Sequence, residues 1–367
     1  MKRLLSVSLL IFCCCFLSCK HDDGIYIKGD VKGIGDRYVY LYRNFSDHKP
    51  IDSVRATDGK FEFSLHPDTS FTPVLAYITY ADEKNKQQNL AVINPYETKG
   101  DEVHLYADFL LEKGEITLTG DLAKKRGGVT LANGTQNDFT FKNITLPYIR
   151  ISGDTNRRAA QFNRIKKLVA DKPDAYWVMY AMSNLKYSFN KSQVSAIYNG
   201  FDKGLRQSYE GRKLKQFLDE RPATEDQFFN SVFADKDGRQ VNLVDSTKKL
   251  NMVVFWASWC GPCRREIPGL KKIASEFNDT GLRLVSVSID KDKAAWLKAM
   301  EQENMSWQQL IVPKADFSTA EARYNLGSIP QIYLVSNKNH IVKKVMGFSE
   351  GNEAVMKTFI RDYLAKN

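Results

Sequence analysis

The chain has 367 residues, too many for one ordinary domain; at about 150 residues per domain it predicts two or three units. Hydrophobic residues at 43% and charged residues at 26% match a globular protein and exclude a disordered, collagen-like or long coiled-coil chain. The net charge of +10 comes from basic residues interspersed with acidic ones, which predicts a well-solvated surface, and no nucleic-acid-binding fingerprint accompanies it.

Met1-Lys2-Arg3 forms a short positive n-region, and residues 4–18 form an apolar stretch too short to serve as a comfortable membrane span. Losing Lys2 and Arg3 with such a segment lowers the net charge to about +8. The segment ends in Phe16-Leu17-Ser18-Cys19, which resembles the lipobox of bacterial lipoproteins. The resemblance implies a signal peptide over residues 1–18, cleavage before Cys19 and a lipid on the Cys19 thioether, hence attachment to a membrane. An ordinary signal peptide that happens to contain cysteine is the alternative.

Residues 24–150 read as β-rich. Ile25-Tyr26-Ile27 and Tyr38-Val39-Tyr40-Leu41-Tyr42 are aromatic and β-branched runs, and Glu115-Ile116-Thr117-Leu118-Thr119 alternates cleanly. Asp58-Gly59 separates residues 51–56 from Phe61-Glu62-Phe63-Ser64-Leu65, a hairpin signal. Residues 74–80 and 90–93 add two further strand candidates. A β-sandwich or barrel-like domain is the expected outcome.

Over residues 155–222 the period changes. Ala159, Phe162, Ile165, Leu168 and Val169 recur at helical spacing, and residues 176–187 and 194–205 repeat the pattern. Leu214, Phe217 and Leu218 mark a last short helix before Pro222. This predicts a helical linker region whose apolar stripes form core. Residues 225–367 then read as an α/β domain. Met252-Val253-Val254-Phe255-Trp256 is an apolar strand suited to the centre of a sheet. A helix runs from the following Cys pair to Phe277, then come a strand over 282–289, a helix over 294–302, a strand over 309–312 and a short helix over 318–324. A hairpin over 331–345 and a closing helix over 353–364 end the chain.

The six cysteines are Cys13, Cys14, Cys15, Cys19, Cys260 and Cys263. If the first three leave with the signal peptide and Cys19 is lipidated, Cys260 and Cys263 remain as the thiols of the mature protein. Their loop is too short to act as a stability staple, so metal or redox work is left. A zinc site normally needs a second pair or clustered histidines, and His21, His48, His66, His104 and His340 form no ligand-spaced group. No metal and no cofactor are therefore expected, and the pair reads as a redox dithiol. An apolar strand, a sharp turn and a helix starting at the pair place Cys260 at a helix N-terminus, with Gly261 and Pro262 in the first turn. Free N–H groups and the helix dipole there favour a thiolate on Cys260, the attacking group, while Cys263 resolves. Arg264 and Arg265 read as a solvated face.

The stretch Phe255-Trp256-Ala257-Ser258-Trp259-Cys260-Gly261-Pro262-Cys263-Arg264-Arg265-Glu266-Ile267-Pro268 resembles the active-site segment of the TlpA/ResA-type branch of the thioredoxin superfamily. A thioredoxin-like α/β domain over 225–367 follows from that resemblance, as does a cis-proline opposite the cysteines, matched by Ile329-Pro330. The catalytic residues implied are Cys260, Cys263 and Glu266; Trp259, Gly261, Pro262, Ile329 and Pro330 are implied as substrate-binding. The 70 positions between Cys260 and Pro330 leave room for an inserted helix and strand, as in that branch. Thioredoxin itself carries a buried Asp and a paired Lys, and here those positions fall on Val254 and Ser286. Glu266 then stands as the substitute proton handler. The front segment, through Ile51-Asp52-Ser53 and Asp58-Gly59-Lys60-Phe61-Glu62-Phe63, resembles a β-domain of unknown function that often precedes this module in Gram-negative lipoproteins.

The expected activity is reduction of disulfides in exported proteins, with apocytochrome c one client class, supported by a membrane thiol electron donor. The Gly-Pro dipeptide resembles reducing members, with a potential of about −270 mV in thioredoxin. The expected location is the cell envelope, lipid-anchored and facing the periplasm. Lys20-His21-Asp22-Asp23 resembles a surface-export signal, but a surface reductase would be remote from its electron donor. A peroxiredoxin-like peroxidase is a weaker reading, because Ala257 stands where that class has Thr. A binding or scaffold lipoprotein with a regulatory dithiol is the third.

Overall fold

The structure, a computed structural model, describes residues 23–367 apart from 44–47, 69, 83, 98–102, 124–126 and 153. The expected signal peptide and Cys19 lie outside the described residues. The chain forms two compact units, the second running Asn143–Asn367.

The first unit is a β-sandwich. Its strands are β1 (Ile25–Lys32), β2 (Tyr38–Arg43), β3 (Asp52–Arg55), β4 (Lys60–Leu65), β5 (Val74–Ala81), β6 (Gln87–Asn89), β7 (Val92–Ile93), β8 (Leu105–Tyr106), β9 (Phe109–Leu111), β10 (Gly114–Asp121) and β11 (Val129–Ala132). One sheet runs β4-β1-β10-β11-β7-β8; the other runs β3-β2-β5-β6, with β9 also on β5. The period-2 alternation decides what each strand buries. Ile25, Ile27, Phe63, Ile116 and Leu118 from one sheet meet Val39, Leu41, Ala76 and Ile78 from the other in a single core.

Three expectations for this unit change. Asp58 (φ 49°) and Gly59 (φ 77°) do make a two-residue reversal, closed by paired Thr57–Lys60 backbone hydrogen bonds of 2.9 Å. Pairing stops there, however: β3 joins β2 in one sheet and β4 joins β1 in the other. The turn dipeptide specifies the reversal, whereas burial of Phe61 and Phe63 against β1 selects the sheet. Of residues 90–93, only Val92 and Ile93 form a strand, β7, which lies in a different sheet from the preceding β6. The segment expected to be β-rich to residue 150 also contains helix α1 (Thr135–Lys142). Its apolar periodicity is weak because it is anchored by polar groups. The buried Glu112 carboxylate accepts from Gln136 N (2.9 Å) and Asn137 N (3.0 Å) at the helix start.

Gly59 has positive φ, and a Cβ on it would lie 2.4 Å from the Val31 carbonyl oxygen. Gly59→Ala is expected to destabilise this unit by about 2 kcal/mol or more, read by denaturant titration of the full chain.

The second unit opens with α2 (Thr155–Asp171), α3 (Tyr176–Leu185), α4 (Lys191–Gly200), α5 (Lys203–Gln207) and α6 (Tyr209–Glu220). Asp154, Asn190, Asp202 and Ser208 cap four of them through side-chain oxygens. The continuous helix expected over 194–205 is broken at Phe201-Asp202, where Asp202 starts α5. Next come β12 (Val232–Asp235), β13 (Gln240–Asn242), β14 (Leu250–Trp256), α7 (Gly261–Glu276), β15 (Leu282–Ser288), α8 (Lys293–Glu303), β16 (Gln308–Ile311), α9 (Phe317–Tyr324), β17 (Gln331–Ser336), β18 (Ile341–Met346) and α10 (Asn352–Lys366). They build one sheet, β13-β12-β16-β15-β14-β17-β18, parallel through β16-β15-β14 and antiparallel at β12 and at β17-β18.

Strand β14 is buried along its whole length. Val253 and Phe255 enter the core on one face, while Met252 and Val254 enter the core on the other with Leu270 and Ile273 of α7. The helices expected as a linker pack directly on this module. Glu220 pairs with Arg323 of α9 at 2.9 Å, and Gln216 Nε2 donates to Ser318 Oγ of α9 at 3.0 Å.

Candidate functional site

Because β14 is central and apolar on both faces, its C-terminal end fixes the loop that follows it. The chain leaves the sheet at Trp256, turns through Ala257-Ser258-Trp259 and enters α7. Cys260 is the N-cap of that helix in extended backbone, and its Sγ accepts from Cys263 N at 3.2 Å. Gly261 and Pro262 occupy the first turn, where a missing N–H costs nothing. Cys260 and Cys263 are joined in a disulfide, with Cα atoms 5.2 Å apart. Both are buried, at 4% and 2% exposure, so the difference between attacking and resolving sulfur is small in this oxidised form. Trp259, immediately before the pair, is 68% exposed.

The opposite wall is the loop before β17. The Ile329–Pro330 bond is cis, and the Ile329 carbonyl oxygen lies 3.8 Å from Cys260 Sγ. Gln331, fully buried, holds that loop: its amide donates to the carbonyls of Asn325 and Ser328, the latter at 2.8 Å, and Tyr333 Oη donates back to its Oε1 at 2.9 Å. Met346, the register partner of Gln331, remains exposed.

Glu266 lies three residues beyond Cys263 and therefore on the same face of α7. It is 3% exposed, and burial raises its carboxyl above the ordinary glutamate range. Asn352, the first residue of α10, opposes that shift: its Nδ2 donates to Glu266 Oε2 at 3.0 Å and to the Gly347 carbonyl at 2.9 Å. Asn352→Leu removes the one hydrogen bond that favours the charged carboxylate. The acid limb of the pH–activity profile is expected to move to higher pH, measurable by disulfide-reduction rates across pH 4–9.

The positions of the thioredoxin Asp and Lys fall on Val254 and Ser286, which are direct partners across β14 and β15. Both are buried, and Ser286 Oγ accepts from Trp307 Nε1 at 2.8 Å. No titratable pair exists there. Arg264 and Arg265 are less free than expected: Arg264 pairs with Glu303 at 2.6 Å, and Arg265 lies over the Phe348 ring at 5.1 Å.

Sequence reasoning missed Asp290, Gln331 and Asn352. Asp290 is buried just past β15, where its carboxylate accepts from Ser258 N (2.9 Å), Ser258 Oγ (2.7 Å) and Ser288 Oγ (2.6 Å). It thereby fixes the loop carrying Trp259 and Cys260. A carboxylate ending the buried strand, two residues after Ser288, was the available signal. Among the described residues no three His, Cys, Asp or Glu side chains converge as a metal-binding group, and no helix is long and apolar enough to cross a membrane.

A buried central strand that delivers Cys-x-x-Cys to a helix N-terminus, opposite a cis-prolyl loop, defines a thioredoxin-like redox domain. Comparison with known proteins agrees. Residues 224–361 match the AhpC/TSA family, and residues 26–157 match a domain of unknown function, DUF4369. The C-terminal module is a thioredoxin-like domain similar to the AhpC/TSA family, and the curated relatives it resembles are named thiol-disulfide oxidoreductases. The thiol-disulfide oxidoreductase ResA of Bacillus subtilis is 26% identical over 135 residues, 37% of this chain and 70% of the relative. ResA of Oceanobacillus iheyensis is 27% identical over 111 residues, 30% of this chain and 56% of the relative. The chain thus spans roughly half to seven tenths of the curated relatives it matches. A solved thioredoxin domain of a thiol-disulfide oxidoreductase from Bacteroides vulgatus is 30% identical and covers 38% of this chain and 99% of its own, with a TM-score of 0.35.

Proposed function

We propose that this protein reduces disulfide bonds of exported proteins from a lipid anchor on the periplasmic face of the cell envelope. The observation that carries the redox step is Cys260 Sγ at the N-terminus of α7, accepting from Cys263 N with Cys263 seated behind it. In the dithiol form, a Cys260 thiolate stabilised by that N–H and the helix dipole attacks one sulfur of the client disulfide. The client's other sulfur leaves as a thiolate, and a mixed disulfide forms on Cys260. Cys263 gives its proton to Glu266, directly or through a water, and attacks Cys260 Sγ. The client's second thiolate departs, and two electrons have moved from the protein dithiol to the client. Re-reduction then falls to a membrane thiol donor. Trp259, Gly261, Pro262, Ile329 and Pro330 form the surface against which a client strand docks, consistent with the exposed indole and the Ile329 carbonyl facing the reactive sulfur.

The anchor rests on Lys2-Arg3, the apolar run after them and Ser18-Cys19. The test of the activity is insulin reduction by the dithiothreitol-recycled full chain, which Cys260→Ser should abolish; equal rates in the two proteins would exclude the assignment. Radiolabelled palmitate should enter the wild type and not Cys19→Ser. A role in cytochrome c maturation is tested by assaying c-type cytochromes in cells lacking the protein.

A further inference from the structure

Where the end of α6, the end of α9 and strand β18 meet, within the second unit, lies a cavity of about 60 Å3. Three cations, Arg221, Arg323 and Lys344, and one carboxylate, Glu225, line it. Arg221 is 6% exposed; its guanidinium lies over the Phe217 ring at 5.2 Å, and its polar contacts among the described residues are long, 3.4 Å to Asn325 Oδ1 and 3.5 Å to Glu225. Charge-assisted hydrogen bonds are normally about 2.7–2.9 Å. Glu225 itself is largely exposed. Lys344 is half-buried, with its ammonium 4.9 Å from the Tyr333 ring centroid and no carboxylate at ion-pair distance among the described residues. Burial, and secondarily Arg221, pushes its ammonium down to about 8. Of the three cations, only Arg323 has a close carboxylate, Glu220 at 2.9 Å.

The three cations thus face two carboxylates, one of them long-range and largely exposed, and a half-buried cation left without a close counter-charge, as Lys344 is, is costly. The void has room for about four waters, the size of a five-heavy-atom anion. Cations from three separate elements converge on it, matching several oxygens better than the two of a carboxylate. We propose that this cavity binds a small tetrahedral oxyanion of phosphate or sulfate size. Asn325 links the cavity to the redox loop, since its side chain accepts from Arg221 while its backbone carbonyl accepts from Gln331, the residue after Pro330.

Calorimetric titration of the oxidised full-length protein at fixed ionic strength tests this, with sodium phosphate, sulfate and acetate in separate arms. Saturable phosphate and sulfate binding, at least tenfold tighter than acetate, is expected. Lys344→Met should weaken phosphate at least tenfold. Glu225→Gln, at an exposed position that the fold tolerates, should tighten it severalfold by removing a competing carboxylate. Absence of saturable binding, acetate as tight as phosphate, or unchanged affinity in both variants overturns the assignment. If Lys344→Met fails to fold, the Lys344 Nζ resonance of the wild type decides: it should shift with phosphate occupancy, and a static resonance overturns the proposal.

Discussion

Replacing Cys263 with Ala is expected to turn the protein into a trap for its clients and to abolish turnover. Cys260 retains its position as helix N-cap and still attacks, so the mixed disulfide forms. Its resolution normally uses a sulfur held on the same helical turn, close enough to close the observed disulfide. Well-oriented intramolecular attack corresponds to effective concentrations of about 10^5 M or more, against roughly millimolar for any external thiol. Turnover should therefore fall at least about 10^3-fold. Non-reducing electrophoresis should show adducts that dithiothreitol releases, and mass spectrometry of those adducts would identify the clients. A Cys263→Ala protein that carries no adducts and still reduces insulin would rule out the two-cysteine mechanism.

The second large effect is expected at Glu266. Cys263 is buried among apolar side chains, which holds a thiol in its protonated, unreactive form. A base must take that proton. Val254 and Ser286 supply none, because a valine stands on one strand and the serine hydroxyl is committed to Trp307 on the other. Glu266 lies on the Cys263 face of α7, and its carboxyl, raised by burial, is closer in affinity to a thiol than an exposed glutamate would be. Glu266→Gln should slow resolution about 10^2-fold and remove the acid limb of the pH–rate profile, leaving the initial attack by Cys260 nearly unchanged. Stopped-flow measurement of mixed-disulfide formation and decay separates the two steps. Stability should move the opposite way. A raised folded-state carboxyl favours the native protein at pH below the ordinary value of 4.5, and that advantage disappears as pH climbs through the raised value. Glu266→Gln should abolish this pH dependence and be the more stable protein at neutral pH.

What was legible in the sequence is what local pattern determines. The unbroken apolar run from Met252 to Trp256 identified the central strand, and the two cysteines straddling Gly261-Pro262 identified the helix start. Alternation in residues 25–27 and 115–119 identified β1 and β10. Partner choice was not legible, because it is set by contacts far apart in the chain. Asp58-Gly59 signalled a reversal but could not say that its arms go to different sheets. Asn352 reaches Glu266 across 86 positions, and Asp290 reaches Ser258 across 32. Helix α1 was hidden for a related reason: Glu112, in the turn between β9 and β10, supplies the acceptors that its first turn needs.

Cys260 and Cys263 are the cysteines of the described residues, and the ring they close spans two intervening residues. So small a ring constrains the unfolded chain very little. Among the described residues, both units are therefore held by their apolar cores and hydrogen bonds, with no disulfide spanning distant segments. Electron traffic through the dithiol is thereby uncoupled from architectural integrity. The molecule can be discharged and recharged repeatedly without an oxidant to complete its folding and without unfolding under a reductant strong enough to regenerate it.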